Sequence, residues 1–211
     1  MSVFDGLVRH ARGDFEVDPW GCDPDAQDVA DAVVRQWLRV TVVGGRNLPA
    51  NGPALLVANR RLGLAEPMAV GRAVRQGVGR RMRFVGLPDL VPFATPLRRL
   101  GTAVNQPAEV ASLLRAGHLV GLPLSAQLRG RMRAGNLAPA DVAPALVTGS
   151  PVIPIAVTGG QLTGRWTVQI GATIASPRSR GPLALAELAD AAQHAVQTLL
   201  DDAFPPRWPW D

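Results

Sequence analysis

The sequence predicts an α/β fold: a largely parallel, mixed sheet of about six to eight strands, covered by helices on both faces. Three observations predict it. Ala54-Leu-Leu-Val-Ala58 is an unbroken apolar run, the mark of a central strand buried on both faces. Strand-like and helix-like segments alternate through the middle of the chain. The 211 residues, 47% apolar and 18% charged, suffice for one sizeable core.

The elements follow in order. Residues 1–24 read as a leader in which Val3, Phe4, Leu7 and Val8 make one amphipathic turn. The main domain spans 25–204, and a Pro/Trp tail covers 205–211. Asp23-Pro24 is an N-cap followed by an N1 proline. The helix it opens runs to about Arg39, with Val29, Val33, Trp37 and Val40 on one face. Val40–Val43 is strand-like and stops at Gly44-Gly45. After the apolar run, Glu66-Pro67 opens a helix to about Gln76, and Met82–Val85 is a strand. Residues 87–100 are helical with Pro punctuation, 102–104 form a short strand, Pro107–Arg115 a helix and His118–Leu122 a strand. Residues 123–138 form a long loop, followed by a helix over Ala140–Thr148 and strands over Val152–Val157 and Trp166–Ile174. The last helix covers about Leu183–Ala203, with Leu185, Leu188, Ala192, Val196 and Leu199 as its stripe. Ligands of such sheets bind beyond the carboxyl ends of the strands. The loops in that position are Asn59–Glu66 and Pro123–Leu137.

Composition narrows the chemistry. All 22 basic residues are Arg, so a lysine Schiff base and a P-loop lysine are excluded. One cysteine, Cys22, excludes an internal disulfide. With His10, His118 and His194 scattered, no metal site and no cofactor is expected. No apolar run reaches the roughly 20 residues of a membrane span, and the N-terminus lacks a signal-peptide core. The expected location is the cytoplasm, either free or peripheral on the inner face of the membrane. Residues 1–31 hold eight acids and two Arg, a net of −6. Residues 32–140 hold sixteen Arg against three acids, a net of +13. A basic middle suits phosphate, CoA or an anionic membrane surface, or else forms a solvated Arg-rich face. Nucleic acid is not an expected partner, because no reader motif is present and stacking aromatics are few.

Several segments, in order along the chain, resemble the lysophospholipid/glycerol-phosphate acyltransferase family. Pro53-Ala-Leu-Leu-Val-Ala-Asn59 is similar to the strand before its H-x-x-x-x-D motif. Ala116-Gly-His-Leu-Val-Gly-Leu-Pro123 is similar to the strand leading into F-P-E-G. Gly149-Ser-Pro-Val-Ile-Pro-Ile-Ala-Val-Thr-Gly159 resembles the last family motif. Asp18-Pro-Trp-Gly21 and the segment 86–101 resemble actinobacterial-type members. The resemblance implies a glycerolipid acyltransferase-like fold. It also implies a history in which a His, oriented by an Asp, deprotonates an acceptor hydroxyl for attack on a thioester of CoA or acyl carrier protein.

The motif positions depart from that pattern. Arg60 stands at the His position and Ala65 at the Asp position. Pro123 is kept, but Leu124 stands for the Glu and Ser125 for the Gly. A guanidinium stays protonated and cannot act as base. The resemblance therefore implies a degenerate member, a pseudoenzyme of phospholipid metabolism with no intact catalytic residue. Its expected partners are acyl-CoA or acyl carrier protein, a lysophospholipid, an anionic membrane surface or an active acyltransferase homologue. Asn59, Arg60, Arg61, Pro123, Ser125, Arg129 and Arg131 are the candidate phosphate-binding residues, with Arg133 beside them. Glu66 is either a rescue base or a first-turn acid favoured by the helix dipole. His118, at the start of its strand, reads as a capping histidine away from the cleft. Two alternatives stay open. One is an active 1-acylglycerol-phosphate-type O-acyltransferase with displaced residues; the other is a peripheral membrane or protein-binding module.

Overall fold

A computed structural model of the chain describes residues 16–60, 65–86, 94–125, 133–160, 163–177 and 179–203. The leader turn at Val3–Val8, the stretch 87–93 and the Pro/Trp tail lie outside the described residues.

Seven strands form one sheet: β1 (Arg39–Val43), β2 (Ala54–Ala58), β3 (Met82–Val85), β4 (Thr102–Ala103), β5 (Leu119–Pro123), β6 (Val152–Gly160) and β7 (Arg165–Ile170). Their spatial order is β1-β7-β6-β2-β5-β3-β4. Every pair is parallel except β6 with β7. The sheet is thus the mixed, largely parallel one the alternation predicts. Strand β2 sits at its centre, paired on both sides, with Leu55, Leu56 and Val57 at 0% exposure. Each such side chain is worth about 1.5–3 kcal/mol of transfer free energy. Strand β7 is shorter than its apolar run suggests. It ends at Ile170: Gly171 still donates to the Pro154 carbonyl at 2.9 Å in the same register, but a proline has no N–H to return the bond.

Six helices accompany the sheet among the described residues: α1 (Pro24–Trp37), α2 (Ala65–Val78), α3 (Ala94–Arg99), α4 (Pro107–Arg115), α5 (Pro139–Thr148) and α6 (Pro182–Ala203). Helices α4, α5 and α6 bury one face of the sheet, with Leu113, Leu114, Val142, Leu188 and Val196 against Leu55, Val57, Val120 and Leu122. Helix α2 buries the other, with Ala69, Val70, Ala73 and Val74 against Leu56, Leu119, Ile153 and Ile155. The stripe of α6 points inward as its 3.6-residue period requires.

Helix α1 departs from its period. The Asp23 carboxylate caps it, accepting from the N–H groups of Asp25 and Ala26. Its 29–33–37 stripe does not enter the core: Val33 is 54% and Trp37 77% exposed. The face turned to α2 carries Gln27, Ala30, Asp31 and Val34. Ion pairs explain the rotation. Asp28 meets Arg75 at 2.5 Å and Arg81 at 2.7 Å, and Asp31 meets Arg72 at 3.3 Å. The acid-rich start of the chain therefore neutralises part of its own basic middle. Residues 18–23, expected within a leader, also pack on the domain, with Cys22 and Asp23 at 1% exposure.

Candidate functional site

Because β2, β5 and β6 run parallel, their carboxyl ends share one rim of the sheet, where the two candidate loops leave. The rim is built from the strands outward. Asn59, the first residue past β2, is 4% exposed, and its carboxamide acts as a short extra rung of the ladder. Its Nδ2 donates to the Val157 carbonyl at 2.9 Å, and its Oδ1 accepts from the Val157 N–H at 2.6 Å. Both ends of this side chain are committed to β6, so the residue expected to meet phosphate splices two strands instead. Across β2, the Leu124 N–H donates to the Ala58 carbonyl at 2.8 Å. Its side chain, at 1% exposure, joins the core under α4–α6.

Ser125 closes the base of the long loop. Its N–H donates to the Asn136 carbonyl at 3.1 Å, and its Oγ accepts from the Asn136 N–H at 2.7 Å. Gly135 makes the clip possible: at φ +88°, an added Cβ would strike the Ser125 carbonyl. From α6, Gln193 and Gln197 accept from the N–H groups of Leu137 and Ala134, fixing the returning strand of the loop. Pro123 ends β5, half-buried.

Arg60 is half-buried at the rim and Ala65 opens α2. Glu66 lies in the first turn of α2 at 3% exposure. Arg133 is exposed where the loop returns. Arg61, Arg129, Arg131 and His10 lie outside the described residues. His118 precedes β5, at the opposite rim, stacked edge-on to Trp20 with ring centroids 5.3 Å apart. His194 is exposed on α6. Among the described residues no group of three or more His, Cys, Asp or Glu side chains is arranged to hold a metal ion.

A groove that no sequence pattern announced runs from this rim along α2. It encloses about 150 Å³ between α1, α2 and the β3–β4 edge. Pro67, Met68, Gly71, Phe84, Leu97 and Leu100 give it apolar walls. Thr102 lies in its lining at 7% exposure, and its hydroxyl has no hydrogen-bond partner among the described residues. Three separate elements supply these walls, so only Gly71 inside a helix hinted at a close approach.

The opposite, amino-terminal rim is built of paired groups. Asp18 receives the N–H groups of Trp20 and Cys22 on one carboxylate oxygen and pairs with Arg83 through the other. Burial brings the Arg83 guanidinium down to about 10. Burial also lowers His118, helped by the charges of Arg83 and Arg80. The Cys22 thiol is pushed up to about 12, chiefly by burial, which leaves it a structural hydrophobe. Burial alone would raise the Asp28 carboxyl, but hydrogen bonds and charge from Arg81 and Arg75 outweigh it and hold the group below its usual range.

No protein-family model matches the chain, and no curated protein matches it in sequence. A solved structure does match in three dimensions: the 1-acyl-sn-glycerophosphate (LPA) acyltransferase PlsC from Thermotoga maritima. The TM-score is 0.65 at 16% sequence identity, over 97% of this chain and 90% of that one. The seven-stranded mixed sheet, its helical layers and this superposition together give the chain a PlsC-like acyltransferase fold.

Proposed function

We propose that the chain is an acyltransferase-fold protein of glycerolipid metabolism that binds an acyl lipid or acyl thioester without transferring the acyl group. The observation that carries this reading is the content of the rim where the family motifs fall. By the sequence resemblance, Arg60 and Ala65 take the positions of a base and its orienter, and Leu124 takes that of a motif carboxylate; the Leu124 side chain is buried and apolar. A guanidinium and a methyl group cannot take a proton from an alcohol. The groove beside Pro67 and Met68 supports an acyl-chain ligand, since most of its exposed surface is apolar even though Asp31, Arg72, Arg75 and Arg81 also line it. Acyl-CoA, acyl carrier protein, a lysophospholipid and an active homologue are the partners that suit such a protein.

The reading is tested by incubating the full chain with acyl-CoA or acyl carrier protein thioesters and lysophosphatidate. The expected outcome is no acyl transfer, with saturable binding of a fluorescent acyl probe that Met68→Arg in the groove abolishes. Transfer lost on Glu66→Gln would instead establish the second reading, an active enzyme with a displaced carboxylate. What favours that alternative is the burial of Glu66 one residue past the orienter position.

The third reading, a peripheral membrane module, rests on the outward stripe of α1. Val33 and Trp37 stand exposed beside Arg35 and Arg39, an apolar and basic surface suited to an anionic bilayer. Among the described residues no helix is long and apolar enough to cross a membrane. Flotation with anionic vesicles, lost on Trp37→Ser, is the expected result for this reading.

A further inference from the structure

The direction of the sheet reverses between β6 and β7. Strands β1 and β7 therefore begin on the rim at which β2, β5 and β6 end. Arg39 opens β1 and Arg165 opens β7, and the two are Cα partners across the ladder. The next same-face pair in register is Thr41 with Thr167, and Thr167 pairs on its other side with Thr158 of β6. The alternation of the strands fixes the face. Val40, Val42, Trp166 and Val168 pack toward α2, so Arg39, Thr41, Arg165 and Thr167 share the opposite side. On that side α6 reaches β6 and β2, and Arg39 and Thr41 stand exposed. These five residues line an open cavity of about 510 Å³.

Like charges placed directly across a ladder repel. Neither Arg39 nor Arg165 has a carboxylate partner among the described residues, although Arg72, Arg75, Arg81, Arg83 and Arg98 all have one. Two forked cations with three hydroxyls alongside, and no acid in the lining, match a phosphate group in charge and donor count. An anion bridging the pair turns its repulsion into attraction on both sides.

We propose that Arg39 and Arg165, with Thr41, Thr158 and Thr167, form a phosphate-binding site on the carboxyl rim, separate from the motif loops. The ligand is the phosphate of a soluble phosphorylated molecule or of a lipid headgroup. This site stands apart from the reading of the motif positions and survives or fails without it.

Thermal unfolding of the full chain in sodium phosphate, set against sodium chloride at equal ionic strength, provides the test; equal ionic strength removes general screening. Phosphate is expected to raise Tm by a few degrees above chloride. Arg39→Gln and Arg165→Gln are each expected to remove that increment while leaving Tm in chloride unchanged or higher, because the repulsion is relieved. Arg180→Gln, exposed before α6, keeps the increment. A second arm measures co-sedimentation with phosphatidylcholine vesicles with and without phosphatidate. Phosphatidate-dependent binding lost in the double variant assigns the phosphate to a lipid headgroup. A phosphate increment with no vesicle binding assigns it to a soluble ligand. Equal Tm in phosphate and chloride, together with vesicle behaviour unchanged in the double variant, overturns the site. A variant that loses as much Tm in chloride as in phosphate also overturns it, since the pair would then be structural.

Discussion

The two rims of the sheet use the same residue type in opposite ways. At the amino-terminal rim arginines are paired: Arg83 with Asp18, Arg75 and Arg81 with Asp28, and Arg80 with the carbonyls of Pro49 and Gly117. At the carboxyl rim Arg39, Arg60, Arg133 and Arg165 have no ion-pair partner among the described residues. Charges that hold a fold together are neutralised within it. Charges left facing one another raise the energy of the empty protein and keep a local field for an anionic ligand. The amino-terminal rim is held together by its paired charges, and the carboxyl rim leaves its arginines open to solvent or to a ligand.

The largest effect expected from breaking this contrast lies at the amino-terminal rim. Asp18→Ala strands the Arg83 guanidinium, 8% exposed, and frees the N–H groups of Trp20 and Cys22. Removing one partner of a buried ion pair costs about 3–5 kcal/mol. Urea unfolding should show the loss as a lower midpoint. Asp18→Asn combined with Arg83→Met should recover a good part of it, because the stranded charge goes too. A double variant as unstable as Asp18→Ala would mean the turn, not the pair, carries the stability.

Asn59 is the exception that sharpens the comparison, a structural residue on the carboxyl rim. Asn59→Ala leaves the N–H and carbonyl of Val157 without their partners, at about 1–3 kcal/mol for a buried unsatisfied group. Thermal unfolding should show the fall while phosphate binding at the Arg39–Arg165 cavity persists. Family resemblance directed attention to Asn59 as a ligand. Its actual role depends on β6, 98 residues away, which no local pattern could reveal.

The same separation in sequence decides what was legible. Strand β2 could be read because its burial is written in five consecutive residues. The stripe of α6 could be read because it has a core to face. Helix α1 carries an equally regular stripe, yet Asp28 and Asp31 turn it over toward arginines 41 to 53 residues away. Period reports which residues share a face, and only the partner decides which face is inside. The rim loops were found because sheet topology dictates where ligands bind. The Arg39–Arg165 pair was missed because its register exists only once β7 reverses beside β1.

A smaller effect concerns pH at the amino-terminal rim. Burial, and then Arg83 and Arg80, hold the folded His118 below its usual pKa. The unfolded chain, near 6.5, takes up the proton first as pH falls. The stabilisation is therefore full above about 6.5 and drains away as pH falls toward the folded value. His118→Gln should flatten the fall in stability between pH 7 and 5. A slope unchanged by that substitution would remove His118 as its source.

The smallest change in stability is expected at the carboxyl rim. Arg60→Ala and Arg133→Ala remove side chains that no acid among the described residues holds, so stability should move by no more than about 0.5 kcal/mol. If these arginines serve an anionic ligand, the substitutions weaken the salt-sensitive part of acyl-CoA binding while leaving the unfolding midpoint in place. A substantial loss of stability from either would show a hidden structural role and erase the difference between the rims. A rim that gives up affinity without giving up stability has arginines kept for what they bind.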